Sequence, residues 1–289
     1  MTDTVTTPQT EGAEALESGV AVETPAGAAI SLRLNTLGAW LPPLLVAIAV
    51  LALWYLVSFL LGTRNWMLPY PHAVVTDALF NPTILLELLG GIWQTTVVAL
   101  TGLAVAVVLG ISWAVLMSQA KWIERATFPY AVILQCIPIL ALVPLIGSMF
   151  GYDFIGRTVV AVLIALFPMV SNTLFGLQSV DKSHRELFKL QGASRWTTLS
   201  KLQFPAALPA IFAGLRIAGG LAVVGAIVGD FFFQRGTPGI GALISKYNSR
   251  LQGPELYGAI LLASLLGIVI FWLFGLLTRA AVGKWYDAA

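Results

Sequence analysis

A polar segment between Asp181 and Pro205 is rich in charged side chains, and it separates two long apolar runs. Its five basic residues are Lys182, Arg185, Lys189, Arg195 and Lys201. Basic side chains spaced along short helices suit contact with an acidic partner rather than catalysis, which needs paired acids, bases or nucleophiles. The segment therefore indicates a docking site on a larger molecule.

The same segment has the turn signals of two short helices. Ser183 and Glu186 have the spacing of a capping box, which predicts a helix from about residue 184 to Leu190. Gly192 is suited to a sharp turn after that helix, and Ser194 is expected to start a second short helix leading to Pro205. We interpret residues 181–205 as a helix-turn-helix elbow parallel to a membrane, and an ordinary amphipathic loop is the alternative.

Catalytic and metal-binding motifs are missing from the sequence. It contains no Gly-x-x-x-x-Gly-Lys-Ser/Thr phosphate loop, no His-Glu-x-x-His and no Gly-x-Ser-x-Gly. The two histidines fall in separate predicted loops, and Cys136 lies in an apolar run, where a buried inert thiol is expected. We therefore expect that the chain is not an enzyme and binds no metal or cofactor itself.

The composition predicts an all-α membrane protein. The chain has 289 residues, of which 58% are hydrophobic and 10% charged, and its mean hydropathy is +0.86. Soluble domains carry about 25% charged residues, and a net charge of +2 does not suggest nucleic acid. Six apolar runs are long enough to span a bilayer: about 41–62, 88–118, 128–150, 157–179, 206–230 and 256–280.

The distribution of charge predicts the orientation and the domains. Residues 1–36 are expected to form a disordered, acidic cytoplasmic arm, followed by a transmembrane domain over residues 37–285. With the N-terminus inside, the cytoplasmic segments hold ten basic residues and the outer segments five. This asymmetry places both termini and the 181–205 loop in the cytoplasm.

Two further segments have a predicted structure. The third span contains Pro138 and Pro144 and is expected to be the most irregular, because proline removes a backbone hydrogen bond. Beyond the fifth span, the glycines and proline of residues 236–241 predict a tight turn. We expect a short helix from Ala242 to Tyr247 to rest on the membrane there.

Polar groups within the spans are candidates for a translocation pathway. Interhelical hydrogen bonding is the alternative for the amides and hydroxyls, and a salt bridge with Arg235 is the alternative for Asp230. An arginine facing lipid is costly, so Arg216 either lines the pathway or contacts a second copy of the chain. The candidates are Gln135, Ser171, Asn172, Asp230 and Arg216, with Gln94 and Thr173 also noted.

Glu186, Gly192 and Pro205 have the spacing of a known signature. It resembles Glu-Ala-Ala, three residues, Gly, nine residues, Ile-x-Leu-Pro of binding-protein-dependent ABC importer permeases, with Leu187 and Phe188 in place of the alanines. Three further segments are similar to the nitrate/sulfonate/taurine subfamily: Leu68–Pro71, Pro138–Pro144 and Pro205–Arg216. The resemblance covers about residues 40–285.

The resemblance implies a type I permease fold with a five-helix core plus an N-terminal helix, in the bacterial inner membrane. It also implies that the 181–205 loop is a coupling helix that docks on a separate ATP-binding subunit. That subunit, present in two copies, would hold ATP and magnesium. The resemblance further implies a second, identical permease copy and a solute-binding protein as partners. The coupling residues it implies are Glu186, Leu187, Phe188, Lys189, Gly192, Ala193, Arg195 and Pro205.

The substrate is left open by the resemblance. It implies a small anion such as nitrate, a sulfonate or taurine, or a small heterocycle such as a thiamine pyrimidine precursor.

A secondary transporter and an intramembrane enzyme are alternative functions. The first would need several charges within the membrane and internal repeats, and the second would need paired catalytic groups at membrane depth. The sequence offers neither set.

Overall fold

The computed structural model describes residues 28–62 and 67–283, and within those ranges it contains helices and turns but no β-strand. This all-α architecture is the predicted one. The helices are α1 Ala28–Leu61, α2 Pro71–Ala73 with a π-helical continuation Val74–Leu79, α3 Pro82–Gln119, α4 Lys121–Cys136, α5 Ile139–Phe150, α6 Phe154–Gln178, α7 Lys182–Leu190, α8 Arg195–Thr198 with a π-helical continuation Leu199–Gln203, α9 Phe204–Phe232, α10 Ile240–Ser249 and α11 Gly253–Val282.

The chain divides into two units between Leu53 and Trp54. The described part of the first unit is the N-terminal part of α1, whose side chains are all exposed from Leu41 to Leu53. An apolar helix without a polar face is typical of a bilayer span. Residues 1–27 of the predicted acidic arm lie outside the described residues, and its residues 28–36 belong to α1. The disorder of the arm therefore stays a prediction.

Five or six membrane spans account for the apolar runs of the described residues. Five helices are long and apolar enough to cross a bilayer, and the pair α4 and α5 supplies a sixth if it counts as one span. Within the second unit, α6 is the central helix and packs most extensively against α9 and α3. The chain is therefore a multi-pass membrane protein.

Small residues bring these central helices close together. A Cβ added at Gly225 of α9 would lie 2.7 Å from the Ala161 Cα of α6. A Cβ added at Gly110 of α3 would lie 2.6 Å from the Met169 Cβ of the same helix. Membrane helices associate through such close packing, because lipid provides no hydrophobic drive between them. The glycines therefore fix the spacing of α3, α6 and α9.

The third span is broken, as predicted. Helices α4 and α5 meet at 99°, and the break falls at Ile137 and Pro138. Proline has no N–H and disfavours helix at the residue before it. Pro144 lies inside α5 without ending it. The prediction of a buried thiol was wrong, because Cys136 is exposed at the end of α4.

Candidate functional site

The loop between α6 and α9 begins differently from the predicted capping box. Helix α7 starts at Lys182, and its N-cap is Asp181, which makes no side-chain cap hydrogen bond. Ser183 lies inside the first turn, where its hydroxyl is not positioned as a cap. The reason is the short connection: α6 ends at Gln178, so the chain has only three residues in which to turn before α7.

The end of α7 is a tight, fully bonded turn at Gly192. This glycine has a φ of +70°, a left-handed conformation that other residues adopt at a cost. The Ala193 N–H donates to the Phe188 carbonyl at 3.0 Å, and the Gly192 N–H donates to the Lys189 carbonyl at 3.1 Å. These two bonds form a Schellman motif. The sharp turn predicted at Gly192 is confirmed.

Helix α8 begins where the sequence placed it. The Ser194 hydroxyl accepts a hydrogen bond from the Thr197 N–H at 3.1 Å, which satisfies one free donor of the first turn. The chain then continues through a π-helical segment into α9 without a loop, and Leu199 is buried. The predicted elbow of two short helices is therefore present.

The elbow is bonded to the helices of the membrane domain. The Arg185 Nη2 donates to the Leu177 carbonyl at the end of α6, at 3.0 Å. One residue further, the Gln178 amide donates to the Glu124 carboxylate of α4 at 2.9 Å. A polar cavity of about 430 Å³ lies between these groups and is also lined by Lys121 and Arg125. A displacement of the elbow would therefore act directly on α6, which is itself bonded to α4.

The outward surface of the elbow is unusually apolar for a loop. Leu190 is 86% exposed, Trp196 is 72% exposed and Leu187 is half exposed. Among the predicted coupling residues, Glu186, Lys189, Gly192, Arg195 and Pro205 are exposed, whereas Phe188 and Ala193 are partly buried. Large apolar side chains exposed beside charges mark a protein interaction site. Trp196 belongs to this surface, although its sequence position alone did not single it out.

A buried ion pair lies at the opposite end of the helices. The Arg157 Nη1 of α6 is 3.2 Å from the Asp230 Oδ1 of α9, and both side chains are almost fully buried. The Thr95 hydroxyl of α3 donates to the same carboxylate. A salt bridge was the alternative for Asp230, and it is present with Arg157 rather than with Arg235: Arg235 is exposed, and its guanidinium lies 5.5 Å from the Tyr152 ring centroid.

This ion pair also holds the loop that follows α9. The Arg157 guanidinium donates to the Phe233 and Thr237 carbonyls, each at 2.9 Å, and to the Arg235 carbonyl. The Thr95 hydroxyl accepts from the Ile240 N–H at 2.9 Å. We call Thr95, Arg157 and Asp230, with the loop 233–239 that they bond, the outer latch. It joins α3, α6 and α9 to one loop.

Two glycines let the loop reach the carboxylate. A Cβ at Gly239 would overlap the Asp230 carboxylate, and a Cβ at Gly241 would overlap the Ile227 carbonyl. From sequence, Arg157 counted only as one of the five basic residues of the predicted outer segments. The missed signal was an arginine in the first turn of an apolar span, where an unpaired charge is costly.

Helix α10 is held by a second cluster near the latch. The Glu87 carboxylate of α3 pairs with Lys246 and accepts from the Tyr247 hydroxyl at 2.9 Å. Burial and the Glu87 carboxylate raise the pKa of the Tyr247 phenol, which therefore stays protonated. The predicted short helix is present, and its placement at the membrane surface stays a prediction. Leu243 and Tyr247 are buried against α3 and α11, because apolar side chains recur on one face of α10.

The other pathway candidates are dispersed. Ser171 and Asn172 donate to the Pro168 carbonyl of their own helix, at 3.4 and 2.8 Å. Gln135 is exposed beside the α4–α5 break, and the Arg216 guanidinium lies 3.9 Å from the centroid of the Phe271 ring. The structure does not bring these side chains together with Asp230 into one site.

Comparisons with known proteins agree with this architecture. Residues 106–283 match the family described as binding-protein-dependent transport system inner membrane component. The chain is 33% identical to the formylaminopyrimidine transport permease protein ThiX of Halalkalibacterium halodurans, over 80% of this chain and 90% of that protein. It is 28% identical to the putative aliphatic sulfonates transport permease protein SsuC of Bacillus subtilis, over 84% of each.

Solved structures show the same fold at low sequence identity. A chain of the inward-facing MetNI methionine ABC transporter superposes with a TM-score of 0.62 at 17% identity, covering 69% of this chain and 98% of that one. A chain of an amino acid ABC transporter gives a TM-score of 0.57 at 17% identity, covering 72% and 98%. Both similarities concern the fold.

Proposed function

This chain belongs to the binding-protein-dependent transport system inner membrane components, the permeases of ABC importers, and we propose that it forms the translocation pathway for a small solute delivered by a binding protein. The observation that carries the proposal is the elbow at 181–205. It combines a rigid Schellman turn, an exposed apolar surface and a hydrogen bond to the end of α6, which is in turn bonded to α4. A rigid element of this kind transmits a force that a flexible loop would absorb.

The proposed assembly contains two permease copies, two ATP-binding subunits and one solute-binding protein. ATP and magnesium are bound by the ATP-binding subunits, since this sequence has no phosphate loop. Both termini and the elbow face the cytoplasm, in accord with the excess of basic residues on that side. The outer latch then faces the solute-binding protein. This assembly identifies the elbow as the coupling helix.

A small heterocycle is the proposed substrate. The formylaminopyrimidine relative and a riboflavin transport system permease protein RibX of Chloroflexus aurantiacus, 34% identical over 58% of this chain, support that class. Small anions are the second candidate, because the sulfonate relative matches over 84% of the chain. Specificity would come mainly from the binding protein.

The test is transport in proteoliposomes that contain the permease, its ATP-binding subunit and its binding protein. ATP-dependent uptake of a radiolabelled aminopyrimidine, with no uptake when the binding protein is omitted, is the expected result. Uptake of an aliphatic sulfonate or nitrate instead would show that the substrate is not a heterocycle, while still supporting the function as an ATP-driven importer. Uptake driven by an ion gradient without ATP would reject the importer itself.

Removing the exposed apolar side chains of the elbow should weaken docking of the ATP-binding subunit. We expect Leu190→Ser and Trp196→Ser each to reduce the affinity about tenfold, equivalent to about 1.4 kcal/mol. The measurement is the dissociation constant of purified permease and ATP-binding subunit in detergent. Trp122→Ser is the matched control, because Trp122 is also 72% exposed but lies on α4. Equal losses for Trp122→Ser and Trp196→Ser would contradict the assignment.

A further inference from the structure

A basic cavity lies between α9 and α11, apart from the elbow and the outer latch. It has a volume of about 160 Å³ and is lined by Arg216, Trp272, Gly275, Leu276 and Arg279. The Arg216 Nε is buried and has no hydrogen-bond partner within the described part of the chain. A buried guanidinium donor without a partner is costly, so an anionic ligand would satisfy it.

The depth of this cavity matches a lipid headgroup. Arg216 lies beside Gly275, which is seven residues, or about 10 Å, before the end of α11. Arg279 is one turn beyond Gly275, on the same helix face. Trp272 is exposed, and tryptophan is enriched at the membrane–water interface. This end of α11 is also the end at which the elbow lies, because α9 and α11 run antiparallel.

An apolar groove continues from the basic cavity along the same two helices. It has a volume of about 630 Å³, shares Trp272 with the basic cavity and is lined by Gly220, Val224, Ile260 and Gly267, among others. The residues from Ile260 to Trp272 rise about 18 Å along α11. Half of a bilayer core is about 15 Å thick, so the groove has the length of one acyl chain.

We propose that the α9–α11 face binds an anionic phospholipid, with its phosphate on Arg216 and Arg279 and an acyl chain in the adjoining groove. Two guanidinium groups near the membrane surface favour an anionic over a zwitterionic headgroup. The charge and the shape of the face thus point to the same ligand. This proposal does not depend on the identity of the transported solute.

The test is native mass spectrometry of the purified full-length permease with phosphatidylglycerol or phosphatidylcholine of identical acyl chains. We expect the wild type to retain phosphatidylglycerol at least about fivefold more strongly. Arg279→Gln, at an exposed position, and Arg216→Gln should each lower this preference, and the double variant should abolish it. Arg250→Gln, an equal charge change at the C-cap of α10, near the other end of α11, should leave it unchanged. Unchanged retention by the double variant would overturn the proposal.

The groove is tested separately from the charge. A Cβ at Gly267 meets no atom within 4 Å, so Gly267→Leu should fill the groove without disturbing the fold. We expect it to reduce retention of long-chain phosphatidylglycerol severalfold, whereas Gly90→Leu, at an equally open glycine of α3, should not. Displacement of the lipid by millimolar inorganic phosphate would show a free-anion site instead. A cysteine crosslink between two copies at Ser264→Cys would show that protein covers the groove, and either result would overturn the proposal.

Discussion

Gly192→Val should abolish ATP-driven import in proteoliposomes while leaving the permease folded. Valine at a φ of +70° costs at least about 1–2 kcal/mol, and the Schellman turn between α7 and α8 would open to relieve it. A Cβ at Gly192 would meet no atom within 4 Å, so the effect is conformational rather than steric. We expect uptake to fall more than tenfold, with the melting temperature of the permease close to that of the wild type.

Asparagine is the control at this position, because it tolerates the left-handed conformation better than other non-glycine residues. Gly192→Asn should keep most of the uptake. If Gly192→Val transports at the wild-type rate, the elbow is not the coupling element.

Glu186→Lys, which reverses an exposed charge in the middle of α7, should also abolish uptake without altering solute binding by the binding protein.

Arg157→Gln should be the most destabilising single substitution among the polar residues discussed. It would leave the Asp230 carboxylate buried without a counter-charge and remove the donor to the Phe233, Arg235 and Thr237 carbonyls. Breaking one partner of a buried pair costs about 3–5 kcal/mol. We expect a loss of that size in the free energy of unfolding, measured by titration with a denaturing detergent.

Two controls separate the ion pair from general damage to the loop. The double variant Arg157→Gln with Asp230→Asn has no unpaired charge, so it should be more stable than Arg157→Gln alone. Arg235→Gln alters the exposed arginine of the same loop and should change stability by less than about 0.5 kcal/mol. A larger loss for Arg235→Gln than for Arg157→Gln would favour the alternative pairing of Asp230 with Arg235.

The spans and the elbow were predictable because their signals are local. Apolar length identifies a membrane span, Pro138 identifies a break, and Gly192 identifies a turn, and none of these depends on distant residues. The capping box failed because the start of α7 depends on where α6 ends. The packing of α10 was not predictable, because its apolar face contacts α3, which lies far away in sequence, as well as the neighbouring α11.

The sequence by itself determined the class of the protein, the number of its spans and the location of its elbow, since composition and short-range geometry decide them. Only the tertiary structure decided which charges meet. Arg157 and Asp230 are 73 residues apart, and a charge in an apolar span accepts any partner that packing brings within reach. The close packing of α3, α6 and α9 through glycines selected Arg157 over the nearer Arg235. The same packing left Arg216 and Arg279 together at one end of the groove between α9 and α11.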